Sequence, residues 1–230
     1  MSSCANCATP DELLMKREGL AFFGAIVASI AALVGIGLAL SFVPVLLNPP
    51  QPTPTSGAII VEEPRLMPDF TLTDQNKELR HLTDSRGKAV LVFFGYTHCP
   101  DVCPLAMSDF KRVKTVLGAT NPEAISRVDF MMVSVDGERD TPDVMKSYVE
   151  AFDPQFIGLT GGSFDVAAIG KDYGLRFEKQ KPTGTQASYL IAHTSFSYLI
   201  DPKGFWRVAF PFQTPPEQIA SDIARILTEK

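Results

Sequence analysis

The stretch Val90–Pro104 (VLVFFGYTHCPDVCP) constrains this chain more than any other. Val90–Phe94 is apolar throughout and predicts a buried strand. Gly95-Tyr96-Thr97 predicts a turn out of the sheet, and two cysteines follow, Cys99 and Cys103. Pro104 stands where a helix is expected to begin, a place that tolerates proline because first-turn N–H groups lack helical partners anyway. Leu105, Phe110, Val113, Val116 and Leu117 recur at roughly helical spacing and predict a helix over Leu105–Leu117. Two thiols thus fall on a strand-to-helix turn, at the positive end of a helix dipole. That environment favours the thiolate, the form that ligates metals and attacks disulfides.

Around this unit the expected elements alternate. Asp69–Thr73 and Glu78–His81 are short strand candidates flanking a turn at Asp74–Lys77. Asp129–Val135 is a second buried strand, followed by a helix over Thr141–Phe152 that starts at an Asp140-Thr141-Pro142 cap. Phe156–Leu159 is a short apolar segment, and Ser163–Tyr173 a further helix closed by Gly174. Lys179–Ser188 reads as a polar loop. Tyr189–Ile191 and Ser195–Ile200 lead through the turn Asp201–Gly204 into Phe205–Phe210, a hairpin signal. Pro215–Thr228 is amphipathic and closes the chain as a helix. Alternating strands and helices with a terminal hairpin imply an α/β domain with a mixed sheet.

The N-terminal part is of another kind. Leu20–Leu47 carries no charge and exceeds the ~20 residues a helix needs to cross a bilayer, which accounts for a mean hydropathy of +0.08. The expected organisation is a cytoplasmic tail (1–19), a transmembrane anchor (20–47), a proline-rich linker (48–57) and a globular domain (58–230). Lys16 and Arg17 precede the apolar run, whereas Asn48–Pro64 has no Lys or Arg. The positive-inside rule therefore puts the N-terminus in the cytoplasm and the domain outside. With no Arg-rich presequence, a bacterial plasma membrane is the expected location. A net charge of −5 and the lack of a basic patch argue against nucleic acid as a partner.

The four cysteines form two close pairs, Cys4/Cys7 and Cys99/Cys103, too few for a disulfide-stapled fold. Cys4 and Cys7 have no strand–helix context, and an incidental tail is the simplest reading. On a turn, Cys99 and Cys103 suit either a disulfide or shared metal ligation, and their polar neighbours argue against inert buried thiols. A closed metal site needs a third ligand. His81 reads as a solvated strand end, and His98 adjoins Cys99 and should point away from a shared site. His193 lies between two apolar strand runs and reads equally well as a buried histidine or a ligand. Asp140 reads as a helix cap. Asp136 ends a buried strand near the expected site. Trp206, Phe205, Phe210 and Phe212 read as core or rim packing.

Gly95–Pro104 (GYTHCPDVCP), Val133–Phe152 (VSVDGERDTPDVMKSYVEAF) and Ala192–Gly204 (AHTSFSYLIDPKG) together resemble the SCO/SenC family of copper-binding, thioredoxin-like proteins. The likeness runs from about Asp69 to Arg225. It implies a thioredoxin-like α/β domain behind a single N-terminal transmembrane helix, with copper held by Cys99, Cys103 and His193. It also implies that Ala192-His193-Thr194 takes the place of the cis-proline loop of thioredoxins, against the cysteine turn. Members often carry an acidic residue before the histidine, where this chain has Ala192, so the tuning of the imidazole is expected to differ. Two thiolates and an imidazole suit copper as Cu(I) or Cu(II). Zinc ranks lower, since no acid–base residue completes a hydrolytic site. The implied function is copper delivery to the dinuclear copper A centre of cytochrome c oxidase, with the copper-bearing subunit as partner and the copper donor open. The alternatives are a thiol–disulfide oxidoreductase that reduces recipient cysteines, with Cys99 attacking and Cys103 resolving, or a redox or copper sensor.

Overall fold

A computed structural model describes residues 57–181 and 189–229. The expected cytoplasmic tail, transmembrane anchor and nearly all of the linker lie outside the described residues, as do Cys4, Cys7 and positions 182–188 of the expected polar loop. Among the described residues, no helix is long and apolar enough to cross a membrane.

The described strands are β1 (Ile59–Leu66), β2 (Thr71–Asp74), β3 (Leu79–His81), β4 (Ala89–Gly95), β5 (Val128–Ser134), β6 (Ile157–Thr160), β7 (Phe177–Gln180), β8 (Leu190–His193), β9 (Phe196–Ile200) and β10 (Phe205–Pro211). The helices are α1 (Val102–Thr120), α2 (Pro142–Phe152), α3 (Ser163–Asp172) and α4 (Pro216–Thr228). Eight strands form one mixed sheet in the order β1-β10-β9-β4-β5-β6-β2-β3, and β7 and β8 form a separate two-stranded ribbon. β4, β5 and β6 run parallel, whereas β9 pairs antiparallel with β4 and β2 antiparallel with β6.

The buried-strand reading holds at the centre of the sheet: every residue of β4 and of β5 is buried. The two crossovers, β4–α1–β5 and β5–α2–β6, step in the same direction across the sheet. Their common right-handedness lays α1 and α2 on one face, where α1 also packs against α2 and α4. Phe93 and Phe94 show the period of two along β4. The Phe94 ring meets Tyr173, beyond the end of α3, at 4.9 Å and Tyr198 of β9 at 6.0 Å. The Phe93 ring instead lies 5.8 Å from that of His193. Strand β4 thereby carries the core on its length and the candidate site at its C-terminal end.

Several boundaries differ from the expectation. Helix α1 begins at Val102, so Pro104 is its third residue rather than its first; the proline remains inside the turn whose N–H groups lack partners. Helix α2 is capped by Thr141, whose hydroxyl accepts a hydrogen bond from Val144 N at 3.4 Å, which leaves Asp140 for another role. Strand β1 was not anticipated, because its sequence IIVEEPRL shows no alternation and contains a proline. It is an edge strand with a register break between Ile60 and Arg65, a setting that accepts proline. Lys179 and Gln180 belong to β7 rather than to a loop.

Leu91, in mid-β4, is fully buried. Leu91→Ala is expected to lower unfolding free energy by about 2–5 kcal/mol through lost transfer energy and an unfilled cavity; urea denaturation of the reduced protein measures it.

Candidate metal centre

The cysteine turn leaves β4 at Gly95, and the reason for glycine is steric. A Cβ there would lie 2.9 Å from Cys103 Sγ and 2.5 Å from the Phe93 ring. The turn closes with Cys99 N donating to Tyr96 O at 3.3 Å. It is then held from behind by Asp140, which is fully buried. Asp140 Oδ2 accepts from Thr97 N at 2.9 Å and from Ser134 Oγ at 2.6 Å, and Oδ1 accepts from Thr97 Oγ1 at 2.6 Å. The carboxylate expected to cap α2 therefore fixes the turn that carries the thiols. A carboxyl group buried this deeply needs such partners, and three donors meet its two oxygens.

The two thiols are unequal and both are free. Cys103 is fully buried in the first turn of α1, while Cys99 is half-buried just outside it. The Cys99 thiol is held far below the ordinary thiol range, first by the hydrogen bond from Cys103, then by the His193 imidazole and the Asp101 and Cys103 backbone N–H groups. The last two are free amides at the start of α1, where anions are favoured. Cys103 is pushed the opposite way, by its hydrogen bond to the Cys99 thiolate and by burial. The pair thus holds one thiolate outside and one thiol inside.

His193 ends β8 and reaches this pair although it lies 90 residues from Cys103; its Nε2 is 3.5 Å from Cys103 Sγ. Its Nδ1 is 3.1 Å from the carbonyl of Thr194. A carbonyl can only accept, so Nδ1 carries a hydrogen, and Nε2 is the ring nitrogen that faces the thiols. The Phe93 and Tyr96 rings meet the imidazole edge-on at 5.8 and 6.1 Å. Among the described residues, no three His, Cys, Asp or Glu side chains are already closed around one metal-sized point. Cys99, Cys103 and His193 adjoin one another without being drawn onto a common centre. As donors, two sulfurs and one imidazole nitrogen form a soft set that fits copper.

The other candidates fall elsewhere. His81 is exposed, with Nδ1 3.0 Å from Thr71 Oγ1. His98 is also exposed, with Nδ1 3.0 Å from Thr97 Oγ1 and 3.5 Å from Asp140 Oδ1. Asp136 is buried but pairs with Arg139 and accepts from Tyr189 OH at 2.7 Å. Of the aromatic residues, Phe210 is core, and the Trp206 indole donates to Val208 O at 3.0 Å. The significance expected for Ala192 changes. In register, Phe177 faces His193 and Glu178 faces Ala192, so the pleat turns position 192 away from the thiols. The Thr194 carbonyl, not a side chain at 192, holds the imidazole. Tyr96, Arg139, Tyr189 and Thr194 were not singled out from the sequence, since none belongs to a ligand class or a periodic pattern.

A family model described as SCO1/SenC matches residues 60–228. The SCO2-like protein of Rickettsia felis is 29% identical over 194 residues, covering 84% of this chain and 92% of the relative. The structure of Bradyrhizobium japonicum ScoI with copper bound is similar at a TM-score of 0.62 and 36% identity, over 70% of this chain and 99% of that one. BsSco, described as having a disulfide switch and as a member of the Sco family of cytochrome c oxidase assembly proteins, matches at a TM-score of 0.58 and 25% identity, over 74% of this chain and 99% of that one. These likenesses bear out the thioredoxin-like α/β fold with a mixed sheet.

The unequal thiols have a pH signature. Folding lowers the Cys99 pKa, so its thiolate stabilises the reduced fold above the unfolded-chain value, and that contribution disappears as pH falls through the folded value. Alkylation of Cys99 should therefore stay fast between pH 7 and 5, where an ordinary thiol of pKa about 8.5 slows roughly tenfold per unit. Cys103 should resist alkylation throughout. Mass spectrometry of iodoacetamide-treated protein reads both rates.

Proposed function

The chain belongs to the SCO1/SenC family, and from that premise we propose that it is a membrane-anchored copper metallochaperone that binds copper through Cys99, Cys103 and His193. The observation that carries this reading is the approach of His193 Nε2 to within 3.5 Å of Cys103 Sγ. Disulfide exchange needs only two cysteines, whereas a stable copper site gains from a third donor, and Nε2 of His193 already faces the sulfurs. Residues 1–19 form the cytoplasmic tail, 20–47 the anchor and 48–57 the tether, which holds the domain 58–230 on the extracytoplasmic side. The recipient is the copper-bearing subunit of cytochrome c oxidase, at its dinuclear copper A centre. Support for that choice is the description of BsSco as belonging to a family of cytochrome c oxidase assembly proteins.

Delivery is a ligand exchange. Cys99 is the half-exposed donor, so an incoming thiolate displaces it first and forms a mixed-ligand intermediate. Cys103, enclosed by the Phe93 ring and Gly95, leaves after it. Cys99 is released as the thiolate it is in the metal-free pair, Cys103 takes up one of the two protons the incoming thiols gave up, and the other passes to solvent.

A second reading rests on the Cys99 thiolate itself. Activated and accessible, it suits attack on a recipient disulfide, with Cys103 resolving the mixed disulfide once it loses its proton. Oxidation of the pair removes both sulfur donors, so electron transfer and copper binding exclude each other at any instant.

His193→Ala separates the two readings. Copper affinity of the reduced variant, from anaerobic competition titration, is expected to fall by at least about tenfold, while its rate of disulfide reduction stays within about twofold of wild type. Wild-type copper affinity in this variant would overturn the ligand assignment.

A further inference from the structure

The ribbon that carries His193 is an isolated strand pair outside the eight-stranded sheet. A two-stranded pair is marginally stable in water, so its placement over the thiols depends on what grips it. That grip comes from the loop Val135–Asp140, between β5 and α2. The loop is itself fixed: Arg139 N and Asp140 N both donate to Asp136 O, at 3.0 and 2.9 Å. A Cβ at Gly137 would lie 1.9 Å from Gly161 O, so the loop is pressed against the chain beyond β6.

From this fixed loop, three side chains reach the ribbon. Arg139, paired with the buried Asp136, donates from Nη1 to the Tyr189 carbonyl at 3.2 Å, and its guanidinium lies 3.7 Å from the Tyr189 ring centre. Tyr189 OH returns a hydrogen bond to Asp136 at 2.7 Å. Glu138 pairs with Lys179 of β7 at 2.7 Å, and the Lys179 ammonium lies 4.7 Å over the other contact partner of Arg139, the Tyr189 ring. The Arg139 guanidinium is also 5.8 Å from the Tyr96 ring, and Tyr96 OH accepts from Ile191 N at 3.2 Å. The same loop ends in Asp140, which holds the cysteine turn.

We propose that the loop Val135–Asp140 sets the geometry of the metal centre from behind: Asp140 places the cysteines, and Arg139, through Tyr189, places the β7–β8 ribbon and hence His193. Arg139 and Tyr189 are positioning residues. They touch neither copper nor a reacting sulfur, and they act through the distance between His193 and Cys103. The proposal rests on the copper reading above for its consequence, but its first half concerns the metal-free protein alone. Arginine is suited to the task because its planar fork can bond Asp136 and the Tyr189 carbonyl while its face stacks on the ring, which a lysine ammonium cannot do.

The test uses the full-length reduced protein with two variants. Arg139→Gln removes the fork but strands the buried Asp136 carboxylate. Tyr189→Ala leaves the Asp136–Arg139 pair in place and serves should the first variant not fold. In the metal-free protein, amide hydrogen exchange at Leu190–His193 is expected to quicken by about tenfold or more, with the amides of β4 unchanged. After copper loading, X-ray absorption is expected to lose nitrogen scattering relative to sulfur, and affinity to fall about tenfold. Unchanged exchange at Leu190–His193 overturns the grip. Quickened exchange with wild-type copper coordination overturns the positioning role. If His193→Ala also leaves coordination unaltered, the ligand assignment has failed rather than the grip.

Discussion

The candidate centre depends on one buried carboxylate. Asp140, fully enclosed, takes three hydrogen bonds from Thr97 and Ser134 and so ties the cysteine turn at the end of β4 to the loop at the end of β5. Were the turn to move, Asp140 would keep Ser134 but lose both Thr97 donors, and a buried polar group stripped of its partners is costly. The adjacent β4 and β5 are buried along their whole length, so the anchor stands on the most deeply buried part of the sheet. A site supported this way keeps its sulfurs in place without using them as structural bonds. They remain free for chemistry.

The chemistry follows from unequal surroundings. Cys99 sits outside the first turn of α1, where free amides and a neighbouring thiol stabilise its anion. Cys103 sits inside, against Gly95 and Phe93. His193, whose Nε2 faces Cys103, comes from a ribbon that shares no strand pairing with the main sheet. The cysteines are thus rigidly placed and the histidine is placed by side-chain contacts, and a carrier that must both hold and release its cargo benefits from that difference. The same two sulfurs could also form a disulfide, so under the proposed reading one geometry would serve metal and electrons in alternation.

Much of this was legible in the sequence, for physical reasons that differ by element. Val90–Phe94 and Asp129–Val135 were readable because strands buried on both faces leave unbroken apolar runs. Gly174 and the Asp201–Gly204 turn were readable because only certain residues adopt a positive φ, as Gly174 and Gly204 do. Strand β1 was not, since an edge strand with most residues exposed needs no apolar alternation. Strand β7 was missed because FEKQ pairs with β8 away from the core. Asp140 was misread through a local rule: Asp before Thr-Pro fits a helix cap, and only the fold reveals Thr97 and Ser134 competing for its oxygens. Ala192 carried less meaning than its neighbour His193 suggested, because strand alternation sends the two side chains to opposite faces. Arg139 and Tyr189 were invisible for a deeper reason. Their role lies in a contact across 50 residues, and nothing in either local sequence encodes it.

The proposed function requires that Cys99, Cys103 and His193 share one copper ion. X-ray absorption of the reduced wild-type protein, loaded anaerobically with one equivalent of copper, tests it most directly. The expected spectrum shows two sulfur neighbours and at least one imidazole nitrogen around each copper. A shell of sulfur alone, or one of nitrogen and oxygen without sulfur, would contradict it.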